Sequence, residues 1–430
     1  MTVIKLCNLK GESTMPYRTY FYIPDNNRIN EKHIWGSSPS LLQNLKEEIK
    51  GAQEIKLSMF LYNNPELHRF LEGLSSKGVG ISIYSLPLAG YDKKSVQIYR
   101  DNYESNIWSS KYKYAELIYN RIRQRNDIEL KIFPHTYIWA EQWYSRGRNL
   151  YSLHNKSIMA TFPDGRIKCI SSSCNFAFGD PKHSENMIVI ENEQSTINMF
   201  NVYFNMLDRH SISLENYEAN HDPLKDIRHA ITPINIKDEF QTCYFTSPFI
   251  EYGGVGSNHY VQQKIIEFIR SAKSRIYICA QHVSDIDSYD RSSGSIVKEL
   301  CSKANETDLD IKVLKQTRPF HQAQGQKTEL TEQELQQYSN VQQRCLHPII
   351  HDKFIIVDNA VLITTANFTN SQFAWHKDRL MRYKIKGEER IVQVKNTFSE
   401  VNSFHFVDDV DTTRWYNAYY NKLWEMAEEI

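Results

Sequence analysis

The sequence predicts an α/β fold assembled as two halves of like order, on three observations. Helix-like and strand-like segments alternate through both halves of the chain. Their order is the same in each half, which reads as one unit used twice. Each half also carries the same polar constellation: a histidine and a lysine two residues apart, a pair of short apolar strands, then a hydroxyl side chain and an asparagine.

Taken in order, residues 1–37 mix polar and aromatic stretches with no clear period, and they assign no element. Ser38-Pro39-Ser40 is a helix start, with Ser38 as cap, Pro39 at the first helical position and apolar side chains at helical spacing through Ile49. A strand from Ile55 to Leu61, a helix from Pro65 to Ser75 closed near Lys77-Gly78, and a strand from Val79 to Tyr84 follow. The later half repeats this with a helix from about Tyr260 to Ala272, a strand Ile276 to Ala280, a helix Ser295 to Ala304 and a strand Ile311 to Leu314. Past each constellation comes a strand (Met187 to Ile190; Leu380 to Ile385) and then a helix (about Ser195 to Leu207; about Glu389 to Phe404). A C-terminal aromatic helix, about Thr413 to Glu428, is expected to pack back on the body. The division that results is a first half over 1–215, a linker over 216–236 and a second half over 237–430.

The clearest copy of the constellation runs from His351 to Asn367. Phe354 to Val357 and Val361 to Thr365 flank an Asp358-Asn359 turn, so the stretch is a β-hairpin. Side chains at i and i+2 of a strand share a face, so His351 and Lys353 point the same way and Asn367 returns beside them. The other copy is His154-Asn155-Lys156, a run Ser157 to Phe162, a Pro163-Asp164-Gly165 turn, a run Ile167 to Ile170, then Ser171-Ser172-Ser173-Cys174-Asn175. This pattern resembles the phospholipase D superfamily, whose motif is H-x-K-x4-D followed after a short gap by G-S-x-N. The resemblance implies two phospholipase D-like α/β/α halves related by pseudo-two-fold symmetry, with one active site at their interface.

The chemistry asks for two histidines with different jobs: one attacks phosphorus, and the other protonates the leaving oxygen and then deprotonates the incoming water or alcohol. Lys156, Lys353, Asn175 and Asn367 would hold the non-bridging oxygens. Neither a metal nor any other cofactor is required by this arrangement. The resemblance implies that the first-copy histidine is the nucleophile, which assigns His154 that role and His351 the acid/base.

The copies depart from the family pattern in places. Asp358 lies five past Lys353 and matches the motif aspartate, whereas five past Lys156 is Thr161, and Asp164 sits in a longer turn. Neither copy has the motif glycine, but a hydroxyl survives in each as Ser173 and Thr365. Glu185 and Asp378, ten and eleven residues past the asparagines, stand where family members often place a carboxylate that orients a histidine.

Composition bounds the rest. At 41% hydrophobic and 24% charged over 430 residues, the chain reads as an ordinary globular protein of two to three domains' length. Its formal net charge is zero, so a polyanion site must be a local patch. Seven scattered cysteines with no C-x-x-C pair favour reduced thiols over a disulfide framework. No stretch resembles a signal peptide or a spanning segment, and a cytoplasmic protein is expected.

Two segments fall outside the repeat. Residues 88–150 carry eleven basic against seven acidic side chains, interleaved with Tyr91, Tyr99, Tyr103, Trp108, Tyr112, Tyr114 and Tyr144. They read either as a groove that neutralises a nucleic-acid backbone and stacks bases, or as a solvated helix face over core aromatics. Thr317 to His347 holds a capping-box pattern, Thr331-x-x-Glu334, and forms either a lid or a plain surface insertion. Gly253-Gly254-Val255-Gly256 lacks a following G-K-[ST] and reads as a turn. His135, His183, His282, His347 and His376 belong to neither copy. The functional expectation is a metal-independent nuclease working through a phosphohistidine, with nucleic acid as partner. The alternatives are a phospholipid phosphodiesterase or transphosphatidylase, and a nucleic-acid-binding subunit with a dormant site. A homo-oligomer or a protein partner is left open.

Overall fold

A computed structural model describes residues 16–24, 39–60, 62–85, 105–125, 127–133, 137–138, 148–149, 151–178, 183–216, 233–237, 241–286, 294–306, 308–316, 325–346, 350–373, 379–385, 388–394 and 399–430. In the first half the strands are β1 (Tyr17–Tyr22), β2 (Glu54–Met59), β3 (Gly80–Ser85), β4 (Glu129–Ile132), β5 (Ser157–Thr161), β6 (Ile167–Ser172), β7 (Glu185–Glu191) and β8 (Ile212–Ser213). The helices are α1 (Pro39–Ile49), α2 (Pro65–Ser75), α3 (Ser105–Arg125) and α4 (Gln194–His210). In the second half they are β9 (Cys243–Thr246), β10 (Arg275–Ala280), β11 (Asp310–Gln316), β12 (Val341–Leu346), β13 (Lys353–Val357), β14 (Ala360–Thr364), β15 (Ser399–Val407) and β16 (Glu428–Glu429), with α5 (Ser257–Arg270), α6 (Ile296–Ala304), α7 (Gly325–Leu335) and α8 (Val410–Glu425).

The first sheet runs β1-β7-β6-β5-β2-β3-β4-β8 and the second β9-β15-β14-β13-β10-β11-β12-β16. Adding eight to each label of one sheet converts it into the other. Both sheets are parallel where helices make the crossovers, at β2-β3-β4 and β10-β11-β12. Both are antiparallel through the hairpin strands β5-β6 and β13-β14.

Local chemistry explains the boundaries. Asn64 caps α2 by accepting from the amides of Glu66 and Leu67 at 2.9 and 3.3 Å, and Pro65 occupies the first turn where no donor is needed. Gly78, at φ +89°, turns the chain out of α2 into β3. Ile55, Leu57 and Met59 of β2 are fully buried, as are Ile276 and Ile278 of β10, so each sheet is covered by its helices.

The halves meet through helices that follow β7 and β15. Tyr203 of α4 stacks on Phe245 of β9 with ring centroids 4.2 Å apart, and Tyr419 of α8 stacks on Phe21 of β1 at 4.3 Å. Each helix thus packs on the edge strand of the other half. Two backbone contacts complete the join: Tyr151–Leu153 runs parallel to the start of β15, and Ser184 bridges Ile350.

Three expectations change. The helix expected over about Glu389 to Phe404 is strand: Glu388–Val394 pairs with Arg379–Ile385 in a separate hairpin, and β15 enters the main sheet. Because β15 lies between β9 and β14 and buries Val401, Phe404 and Val407, its apolar residues follow burial on both faces rather than a simple alternation. The strand expected at Leu380 to Ile385 exists but lies off the main sheet, and the true counterpart of β7 is β15. The aromatic C-terminal helix is accordingly α8, the counterpart of α4. The short helix suggested by Thr331-x-x-Glu334 exists as α7, but it starts earlier, at Gly325, with Thr331 buried inside it rather than capping it. The glycine turn stands: Gly253 and Gly254, at φ +58° and +79°, join Ile250–Tyr252 to Val255–Gly256 ahead of α5. Residues 1–15, most of 86–150, 317–324 and 347–349 lie outside the described residues, as do Ser38, Asp378, His135, His347 and His376.

Candidate active site

Each His-x-Lys pair sits at the entrance of a central hairpin, His154 ahead of β5 and His351 ahead of β13. The backbone amide of His154 donates to the Val401 carbonyl and that of His351 to the Ser184 carbonyl, both at 3.1 Å. Each histidine is therefore pinned to the other half. The two pairs come close enough that Lys353 and His351 help push the His154 pKa down.

The mirror relation extends to single bonds. Lys156 Nζ donates to the His154 carbonyl at 2.6 Å, and Lys353 Nζ to the His351 carbonyl. Both lysines are fully buried, and among the described residues neither forms an ion pair with a carboxylate. Burial, then the neighbouring Lys353, pulls the Lys156 pKa well down, and burial brings Lys353 down to about 8.

The surviving hydroxyls follow the same plan. Ser173 Oγ accepts from the Asn186 amide at 2.9 Å, and Thr365 Oγ1 from the Ser403 amide at 3.1 Å. Ser173 donates to Glu185 Oε2 at 2.5 Å, whereas Thr365 donates to Asn402 Oδ1 at 2.7 Å. Glu185 and Asn402 thus occupy equivalent places, and at that place the symmetry ends.

His351 Nδ1 lies 3.0 Å from both carboxylate oxygens of Glu185, and His183 Nδ1 lies 3.4 Å from one of them. Burial alone would raise the Glu185 pKa, but His351 and then His183 hold it well below the usual carboxylate range. Burial takes His351 down to about 3, against the opposing pull of Glu185. On the other side, His154 Nδ1 meets Asn402 Oδ1 at 3.2 Å, with Glu400 Oε2 at 3.5 Å. Burial, Lys156 and Lys353 push the His154 pKa well down, and burial raises that of Glu400. Phe60 presents an edge contact to His154 at 5.3 Å and lies 5.6 Å from Lys156 Nζ.

The structure thus gathers His154, Lys156, Ser173, Glu185, His351, Lys353 and Thr365. Asn175 and Asn367 follow the hydroxyls, and their side-chain carbonyl oxygens are shielded from solvent with no hydrogen-bond partner. Asp358 stands outside the cluster. Its carboxylate accepts from the amides of Lys273, Ser274 and Arg275 at 2.8, 2.9 and 3.1 Å, tying the β13–β14 turn to the start of β10. Thr161 in the first copy has no carboxylate for that job.

Sequence reasoning missed Asn402, Glu400 and His183. The offset from motif asparagine to orienting residue is ten in the first half (Asn175 to Glu185) but thirty-five in the second (Asn367 to Asn402), because a hairpin intervenes. The strand-forming residues Phe404, Phe406 and Val407, like Ile188 to Ile190 in the first half, were the available signal.

His183, Glu185 and His351 each offer a donor atom, all within 4.8 Å of one another, and that set is able to hold a divalent ion such as zinc. The same contacts also serve to orient His351 without one.

In the basic segment, Arg121 pairs with Glu72 at 2.6 Å, Arg125 with Asp127 at 3.0 Å and Lys131 with Asp208 at 2.5 Å. These three charges are already matched. Tyr114 of α3 packs on Phe178, three residues past Asn175, with centroids 3.9 Å apart, so the helix borders the loop that carries the asparagine.

A doubled α/β fold with two histidine–lysine entrances meeting across the halves defines a class of proteins built for one composite site. Residues 265–402 match the family model described as cardiolipin synthase, PLD-like domain, a match confined to the second half of the chain. Phosphatidylserine synthase from Haemophilus influenzae Rd KW20 superposes with a TM-score of 0.55 at 11% identity, over 95% of this chain and 89% of that one. Polyphosphate kinase from Porphyromonas gingivalis does so with a TM-score of 0.50 at 11% identity, over 94% of this chain and 50% of that one, so the chain spans half its length. NucT from Helicobacter pylori is a partial likeness, with a TM-score of 0.30 at 16% identity over 40% of this chain and 92% of that one. No curated protein matches by sequence.

Proposed function

We propose that the chain is a metal-independent phosphodiesterase that cleaves a polynucleotide through a phosphohistidine. The observation that carries the phosphodiesterase part is the pair of buried ammonium groups, Lys156 and Lys353. Each is held on the carbonyl of its own histidine, and among the described residues neither forms an ion pair with a carboxylate. Two buried lysines whose charged form burial disfavours, beside two imidazoles, form a site that an anion completes, and a phosphodiester brings that anion. One imidazole makes a bond to phosphorus, while the other gives its proton to the leaving oxygen and takes one from water.

A polynucleotide is preferred because α3, from the basic and aromatic segment, borders the site loop through Tyr114 and Phe178. The second reading, a phospholipid diester, rests on the match of residues 265–402 to a domain model described for cardiolipin synthase.

The test is cleavage of labelled single- and double-stranded DNA and RNA in EDTA, beside vesicles of anionic phospholipid, for wild type, His154→Ala and His351→Ala. Polynucleotide cleavage that survives chelation and falls by about 10²-fold or more in both variants is expected. Hydrolysis of the vesicle lipid alone would move the substrate to the second reading. Cleavage that needs added metal would reject the mechanism.

A further inference from the structure

The two halves repeat each other down to single hydrogen bonds, and so the places where they differ stand out. Ser173 and Thr365 hold Glu185 and Asn402 in equivalent positions, each against the Nδ1 of the other half's histidine. One is a carboxylate and the other an amide. Two residues earlier the residues are His183 and Glu400, so that His351 faces a carboxylate at 3.0 Å flanked by a further imidazole, and His154 faces an amide oxygen at 3.2 Å with the Glu400 carboxyl farther off at 3.5 Å, its pKa raised by burial. Exposure follows the same division, with the His154 side chain 13% exposed and that of His351 only 3%.

We infer that His351, not His154, is the nucleophile, that His154 is the acid/base, and that Glu185, steadied by Ser173 and His183, is the positioning residue that makes the difference. This rests on the phosphodiesterase reading and runs against the expectation drawn from the superfamily. The carboxylate can only accept, so the proton of neutral His351 sits on Nδ1 and the lone pair on Nε2 is free to attack. Attack leaves a positive charge on the imidazole ring, and a carboxylate 3.0 Å away stabilises it where an amide does so far less. The acid/base needs the opposite property. It must gain a proton when the anionic substrate binds, release it to the departing oxygen and meet water afterwards, which suits the more exposed, amide-backed His154.

The steps balance. The reacting complex carries His154 as the imidazolium, protonated from solvent as the phosphodiester anion binds beside it; the Nε2 lone pair of His351 forms the P–N bond as the bond from phosphorus to the leaving oxygen breaks, and that oxygen takes the Nε2 proton of His154. A water oxygen then attacks phosphorus and its proton passes to His154. The P–N bond breaks with its electron pair returning to His351, and the deprotonated phosphate product leaves.

The experiment is rapid acid-free quench of the full chain turning over bis(p-nitrophenyl) phosphate and a scissile-labelled dinucleotide, with the phosphorylated peptide mapped by mass spectrometry. The label is expected on the peptide that holds His351. His154→Ala should give a burst of about one p-nitrophenolate per site and then stall, because this leaving group needs no proton but breakdown needs the base. His351→Ala should form no labelled protein from either substrate. Glu185→Gln should slow phosphoenzyme formation by about 10²-fold or more and move the acid limb of its pH profile, while a matched loss of folded protein alone would move neither. Label on the His154 peptide, or a labelled His351→Ala protein, would overturn the assignment and leave the phosphodiesterase intact. Normal turnover by wild type with no trapped label at any quench time would overturn the assignment through its covalent step. No turnover of any diester by wild type would overturn the phosphodiesterase reading and the assignment with it.

Discussion

Lys353 holds its proton only up to about pH 8, because burial disfavours the charged form more than Glu185, Asp352 and Glu400 favour it. Below that pH the ammonium faces the substrate's phosphate; above it the charge is gone. We expect kcat/KM to fall as pH rises through about 8, and Lys353→Arg, which keeps its charge, to lower the rate but remove that alkaline limb. The contrast is Asp358, the one motif acid that matches the family spacing. It serves the backbone of residues 273–275 rather than the site. Asp358→Ala should cost about 1–3 kcal/mol of stability, read from chemical denaturation, and leave kcat/KM per folded molecule near that of wild type. A large loss of activity at full stability would return this residue to the chemistry.

At the scale of elements, much of the fold was legible. Helices α2 and α6 and both hairpins stand within a residue or two of where their spacing and caps put them, because each is specified by local signals such as Asn64-Pro65 and Asp358-Asn359. What was not legible has a common physical cause. β15 is buried on both faces, so no alternation announces it, and the hairpin over 379–394 displaces its orienting residue by twenty-five positions relative to the first half. The histidines, lysines and hydroxyls were found because they are tied to a short turn. Asn402 and Glu400 were missed because only tertiary pairing of β15 with β14 and with Tyr151–Leu153 brings them there. β1 was missed for the same kind of reason: Tyr17–Tyr22 gains its register from β7, far along the chain.

For the whole molecule, the interface between halves is both the core and the site. His405 of β15 is buried there with Nε2 2.8 Å from Ser171 Oγ, and burial brings its pKa down to about 3, as it does for His351. An unfolded histidine titrates near 6.5, so the unfolded chain binds more protons than the folded one between those values. These groups leave stability intact above about pH 6.5 and remove it progressively as pH falls toward 3. The melting temperature should therefore drop between pH 7 and 4, and His405→Gln should flatten that slope relative to wild type. An unchanged slope would mean that His405 is charged in the fold.

The clasp between Phe21 and Tyr419 bears on how the chain is made. The Tyr419 hydroxyl also lies within hydrogen-bond distance, 3.1 Å, of the Tyr22 carbonyl, 397 positions earlier. During synthesis β1 leaves the ribosome some 397 residues ahead of the helix it leans on. The first half can gather its own sheet early, but its outer edge waits for α8, and for that interval an aromatic edge strand stands without its cover.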